Sequence, residues 1–121
     1  MVMRSMTTAP APVSEDAADL AAWNREHDEA AFGRLAERHH GSILGTCQRI
    51  LGSGQSADDA AQAVLVLLSR KASTIRLPGN LPGWLHRCTV MACRQVIRDE
   101  QSRRRGEERV MATANAEQPP P

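Results

Sequence analysis

Apolar positions in this chain recur every three or four residues in four separate stretches, the spacing of amphipathic helices rather than strands. The first stretch opens at Ser14, with Glu15 and Asp16 in its first turn, and runs to about Glu26. A hydroxyl followed by acids suits a helix start, because it complements the free backbone N–H groups there. Asp28 is placed to cap the second stretch. Its Phe32, Leu35 and Ala36, then Ile43, Leu44, Cys47, Ile50 and Leu51, share a face until Gly52–Ser53–Gly54 breaks the pattern. Ser56, with Asp59 three residues on as a capping-box partner, opens a third helix that runs to about Ser73. Thr74 to Leu81 contains Pro78, Gly79 and Asn80 and reads as a loop. Pro82 then suits the first turn of a fourth helix reaching about Arg109.

Helix formers dominate and β-branched residues are sparse, so the expected fold class is all-α, a compact bundle of about four helices over residues 14–110. Residues 1–13 are small, polar and proline-containing, and read as a disordered leader. Residues 111–121 end in Pro119, Pro120 and Pro121 and read as a tail or the start of an extended linker.

The third helix carries more apolar surface than a core needs. Ala60, Ala61, Val64, Leu65 and Leu68 form an ordinary core stripe, yet Ala57, Ala63, Val66 and Leu67 are apolar as well. In a small domain such a helix leaves one face open, and an open apolar face belongs to a partner. Asp58, Asp59 and Gln62 near its start are placed to set that partner's register; as a simple capping cluster they would do no more than start the helix. In the fourth helix Trp84, Leu85, Cys88, Ala92 and Val96 are spaced to face the core. Arg87, Arg94, Arg98 and the run Arg103, Arg104, Arg105 lie elsewhere on it, and Arg76 sits in the preceding loop. A basic helix beside an irregular loop is a surface on which a phosphate backbone can lie. Trp84, at the loop–helix junction, is either a core anchor or a stacking residue.

Charge sharpens this division. The net charge of the 121-residue chain is only +1. From Glu15 to Ser69, however, four arginines face nine acids, and from Arg70 to Arg109 ten basic residues face four acids. The second half alone therefore suits a polyanion. Three cysteines without CxxC spacing argue for free thiols in a reducing cytoplasm and against a disulfide framework. His39, His40 and His86 with those cysteines do not follow zinc-finger spacing, so no metal or other cofactor is expected. No nucleophile–base pair or phosphate loop marks an enzyme. No apolar run is long enough to span a membrane, and the start lacks a signal peptide, so the expected location is cytoplasmic with no membrane partner.

Three segments carry a specific resemblance. DEAAFGRLAERHHGSILGTCQRILG (Asp28 to Gly52), SADDAAQAVLVLLSRKASTIR (Ser56 to Arg76) and LPGWLHRCTVMACRQVIRDEQSRRR (Leu81 to Arg105) resemble region 2 of the extracytoplasmic-function sigma factors of the sigma-70 family. The most diagnostic piece is the family's D-A-x-D-x-x-Q pattern, here Ser56-Ala57-Asp58-Asp59-Ala60-Ala61-Gln62. Trp84–Leu85 at the opening of the last helix and the terminal arginine cluster follow in the family's order.

The resemblance implies a transcription initiation factor that binds core RNA polymerase and recognises and melts the −10 promoter element. It implies that Asp58, Asp59, Gln62, Ala63, Val66 and Leu67 meet the coiled coil of the polymerase clamp. It further implies that Arg76, Leu77 and Asn80 shape a pocket for unstacked bases of the non-template strand, beside Trp84 and Met91. Arg87, Arg94, Arg98, Arg103, Arg104 and Arg105 would hold phosphates, and an anti-sigma factor is a further candidate partner.

Ala63 stands where the family has an acid and Leu65 where it has Phe, so the polymerase contacts implied are weaker or differently shaped. Met91 replaces a common Asn and Gln95 a common Asp, so promoter preference does not carry over. No helix-turn-helix domain follows, which leads us to expect part of a longer protein rather than a stand-alone module. The alternative is a sigma-like interaction module that binds a regulator without touching DNA.

Overall fold

The computed structural model describes residues 11–76 and 80–117. Four α-helices carry the chain: α1 (Ala11–Glu26), α2 (Glu29–Leu51), α3 (Gln55–Lys71) and α4 (Leu81–Glu117), with a 3-10 turn at Ala72–Thr74 after α3. Helices α2, α3 and α4 pack pairwise on one another, while α1 lies on α2 and touches the 3-10 turn. The expected all-α bundle is therefore what forms. Most of the leader, residues 1–10, lies outside the described residues, as do Leu77, Pro78, Gly79 and residues 118–121.

The boundaries follow local chemistry. Asp28 caps α2 as expected, its carboxylate accepting from the N–H groups of Ala30 and Ala31. Gly52, with φ of 84°, ends that helix in a backbone region open chiefly to glycine, and its N–H donates to the Gln48 carbonyl. α1 stops at His27, which takes φ of 55° and donates its N–H to the Trp23 carbonyl. The imidazole stacks on the Trp23 ring with centroids 4.1 Å apart, which offsets the strain of a left-handed histidine.

Three boundaries differ from the sequence expectation. α1 begins at Ala11, ahead of Ser14, so Ser14 lies inside the helix rather than capping it. α3 is preceded by extended Gly54 with no side-chain cap. The hydroxyl of Ser56 instead donates to Glu100 of α4, and Asp59 accepts from the side chain of Gln55. The tertiary contact to α4 takes the hydroxyl that a local capping box would have used. Finally, α4 continues through Ala112–Glu117, because the stretch Ala-Thr-Ala-Asn-Ala-Glu contains no helix breaker.

The core is built around the small-residue face of α3. Ala57, Ala60, Ala61, Val64 and Leu68 are buried together with Leu35, Ile43 and Cys47 of α2 and Leu81, Leu85 and Cys93 of α4. Ala57, read from sequence as surplus, belongs to this core, whereas Leu65 is only half-buried at its margin. The free thiol of Cys47 is pushed up to about 12, by burial first and by neighbouring Cys93 second, so it stays protonated and packs as a small hydrophobe. Thr89, also buried, turns its hydroxyl back onto the Leu85 carbonyl.

α1 is held on by a buried ionic network that the hydrophobic pattern does not reveal. Asp16 is 2% exposed and Asp19 6%. One Asp16 oxygen accepts from Arg38 Nη2 at 2.9 Å, and the other lies 2.9 Å from His39 Nε2. Asp19 takes Arg34 Nη2 at 3.0 Å and Arg38 Nη2 at 2.8 Å on its two oxygens. Carboxylates three residues apart on α1 thus meet arginines four residues apart on α2. At the other end of α1, Trp23 Nε1 donates to the Ser69 carbonyl and Asn24 Nδ2 to that of Ala72.

Burial pushes the Asp19 carboxyl up, but hydrogen bonds and charge from Arg38 and Arg34 outweigh it and hold the carboxyl below its ordinary range. Because the folded value is depressed, Asp19 contributes stability above about pH 4, and that contribution is lost as pH falls below it. Arg38→Ala leaves two buried carboxylates short of a partner and should cost about 2–4 kcal/mol in urea unfolding at pH 7, less than a fully enclosed pair because Arg38 remains 24% exposed. The penalty should shrink at pH 3; an equal loss at both values would contradict an electrostatic role.

Candidate functional site

The residues singled out on α3 occupy its solvent side. Asp59, Gln62, Ala63 and Val66, at spacings of three, four and seven, fall on one face opposite the buried alanines, and all four are exposed. Val66 is 47% exposed, a β-branched apolar residue held in water on a helix whose other face is packed. Asp58 is exposed but sits to the side of this stripe. Leu67 turns the other way, towards α4, where with Ala63 and Val64 it lines a shallow groove. The expected set of six thus divides: four residues share a face, Asp58 lies beside it, and Leu67 belongs to the adjoining groove, which Ala63 borders.

The opposite wall of that groove is α4. Cys88, Met91, Ala92, Arg94, Gln95 and Arg98 line it, and Met91 stands 64% exposed above the floor. A helix turns about 100° per residue, so Arg87, Met91, Arg94 and Arg98 lie within a single arc of roughly 60° on the side of α4 away from the core. Arg98 Nη2 donates to the Gln95 amide oxygen at 2.7 Å, and Gln95 donates in turn to Asp99, which orients one guanidinium along the groove rim. Among the described residues the ion pairs fall on the α1–α2 network and on Arg103–Glu107, so Arg87, Arg94 and Arg98 keep their charge free for a ligand.

Other expected residues are placed less tightly. Trp84 is half-buried against the core, so much of its ring serves as an anchor for the start of α4. Arg76 and Asn80 are exposed on either side of the loop, and Leu77 lies outside the described residues. Arg103, Arg104 and Arg105 are all exposed, but consecutive residues cannot share a helix face. Arg105 continues the Arg94–Arg98 arc, whereas Arg103 points elsewhere and approaches Glu107 at 3.9 Å. Arg109, four residues beyond Arg105, lies on the same arc; its spacing was a usable signal that charge counting alone did not extract.

The structure thus sets two unlike surfaces side by side. One is a mildly apolar stripe on α3 with acid and amide groups at its N-terminal end. The other is a row of unpaired guanidinium groups on α4, and an apolar groove runs between them. Among the described residues no cluster of three or more His, Cys, Asp or Glu side chains could hold a metal ion, and no helix is long and apolar enough to cross a membrane.

Comparison with known proteins adds independent information. Residues 35–103 match the family model described as Sigma-70 region 2. Two curated proteins, both named ECF RNA polymerase sigma factor SigM and both from Mycobacterium tuberculosis (strains Erdman and H37Rv), are each 32% identical to the chain over 81 residues. The alignment covers 67% of this chain and 41% of each relative, so the chain matches less than half of their length. No solved structure matches the chain. The matched segment holds α3 and Arg87, Arg94 and Arg98 of α4, and leaves out α1, the first turns of α2 and the end of α4 with Arg105 and Arg109.

Proposed function

This chain belongs to the sigma-70 region 2 family, in its extracytoplasmic-function branch, and on that premise we propose that it acts in transcription initiation by joining core RNA polymerase to an opened promoter. The reading rests on one observation: adjacent helices α3 and α4 present an uncovered, partly apolar stripe and an acid-free arginine arc that meet only along the groove between them. The relatives are named RNA polymerase sigma factors, and each surface fits one of the two partners such a protein needs.

In this reading the α3 stripe docks on the coiled coil of the polymerase clamp. Val66 and Ala63 supply apolar contact, and Asp59 and Gln62 set the register through polar bonds at its edge. Arg87, Arg94 and Arg98 then take phosphates of the non-template strand of the −10 element. The groove between Leu67 and Met91 receives apolar edges of bases that have left the stack, next to the loop bearing Arg76 and Asn80. Binding of this kind stabilises the melted state by mass action and needs no catalysis.

The α3 stripe would equally serve a module that binds only a protein regulator, an anti-sigma factor for example. The arginine arc would not, because a row of free guanidinium groups gains most from a polyanion.

Two outcomes test the assignment. Asp59→Ala, Gln62→Ala and Val66→Ala together should weaken capture of core polymerase at least tenfold while leaving the melting temperature nearly unchanged, since all three side chains are exposed. Undiminished capture would remove α3 as the docking face. Arg94→Ala with Arg98→Ala should weaken binding of promoter-like single strands and lower the slope of log K against log salt by about 1–2. A salt-independent signal, or no binding by the parent chain, would favour the regulator-binding module.

A further inference from the structure

α1 is fastened to the bundle twice, by different chemistry. Leu20 is buried, and Asp16 and Asp19 are ion-paired with arginines of α2. The last turns of α1 meet something else: the 3-10 turn at Ala72–Thr74, where α3 has ended and the chain heads for Arg76.

A helix end leaves backbone carbonyls without an intrahelical N–H. At the end of α3 the turn satisfies some of them itself. The Thr74 hydroxyl donates to the Lys71 carbonyl at 2.7 Å, and the Ile75 N–H donates to the Ala72 carbonyl at 3.2 Å. α1 supplies two further donors. Trp23 Nε1 reaches the Ser69 carbonyl at 3.1 Å, and Asn24 Nδ2 reaches the Ala72 carbonyl at 3.3 Å. The Ala72 carbonyl thus has one donor from its own turn and one from α1. The indole is itself held in place. The His27 ring stacks on it with centroids 4.1 Å apart, and the Phe32 ring of α2 meets it at 4.9 Å, so Nε1 is aimed before it bonds.

The turn these donors hold carries a cation at its far side. Ala72 is buried, and Ile75 leaves the turn in extended backbone (φ −82°, ψ 110°) and packs against the core. Successive side chains of extended backbone point to opposite sides, so an inward Ile75 sends Arg76 outward, and Arg76 is exposed. Its guanidinium therefore hangs on a short tether whose root is the Ala72 carbonyl.

We propose that Trp23 and Asn24 are positioning residues for DNA binding: by holding the carbonyls of Ser69 and Ala72 they fix the turn from which Arg76 meets a single strand. The proposal rests on the preceding reading of Arg76 and α4 as DNA-facing. It gives a part in that function to α1, which lies outside residues 35–103 that match the family. Neither Trp23 nor Asn24 touches the strand; each acts through the backbone that bears Arg76. Fastening α1 does not depend on Asn24, an exposed residue with a single bond, because the ionic network and Leu20 hold the helix already.

The test is binding of the chain to a labelled promoter-like single strand, followed by fluorescence anisotropy over a range of salt concentrations. Arg76→Ala should weaken binding several-fold and lower the slope of log K against log salt by about 1. Asn24→Ala removes no charge, yet it should weaken binding about two- to fivefold and lower the same slope, because Arg76 is no longer held against the strand. In the Arg76→Ala background it should have no further effect. Trp23→Phe keeps a ring beside His27 and Phe32 but loses the donor, and should act in the same direction. Alanine is a strong helix former, so the melting temperature of Asn24→Ala should stay near that of the parent.

Unchanged affinity and salt slope in both Asn24→Ala and Trp23→Phe would overturn the proposal while leaving strand binding by Arg94 and Arg98 standing. So would an equal loss with and without Arg76, or a loss that follows a lowered melting temperature in both variants, since either assigns the two bonds to the fold alone. No effect of Arg76→Ala would remove the residue being positioned. Failure of the parent chain to bind the strand would overturn the DNA-facing reading and this proposal with it.

Discussion

Close packing of one small-residue face governs this molecule. Ala57, Ala60, Ala61, Val64 and Leu68 of α3 are buried between α2 and α4. Three of the five are alanines, so the helices can approach closely and the core fills with little side-chain volume. The consequence reaches the surface: a helix satisfied internally by alanines still carries Ala63 and Val66 on its outer side and Leu67 on its flank. None of the three belongs to the core: Ala63 and Val66 are exposed and Leu67 is half-buried. The same packing holds α4 at a fixed rotation, with Leu81, Leu85 and Cys93 inward and Arg87, Arg94 and Arg98 outward. The exposed side chains of α3 and the charge on α4 are thus positioned by one interface.

Much of this was legible in the sequence because both faces of each helix obey a 3.6-residue period. The caps at Asp28 and Gly52, the core positions Val64, Leu68 and Leu85, and the exposure of Val66 all follow from that period and from turn chemistry. What escaped it was tertiary. Ser56 has the appearance of a cap, but its hydroxyl serves Glu100 of a helix more than forty residues away. Asp16 looks like a solvated acid of a helix start, and only the pairing of Asp16 and Asp19 with Arg34, Arg38 and His39 makes their burial tolerable. The complementary spacing of those carboxylates and arginines was the one available clue. The base pocket expected around Leu77 falls partly on residues outside the described structure.

The family match and the physical reading support each other at different places. The match covers residues 35–103 and so places most of α2, all of α3 and the first part of α4 in the family. It says nothing of α1, whose ionic network with α2 stabilises the bundle from the far side, or of the end of α4. Those parts can be argued only from charge, burial and geometry. The carboxylates of α1 have cationic partners, whereas among the described residues Arg87, Arg94 and Arg98 of α4 have no acidic one.

The central claim is that α3 and α4 face different molecules. Photocrosslinkers placed singly at Val66 and at Arg94, in the complex of the chain with core polymerase and an opened promoter, test it most directly. The account predicts that the Val66 position attaches to polymerase protein and the Arg94 position to the non-template strand. Attachment of both positions to the same partner would contradict it.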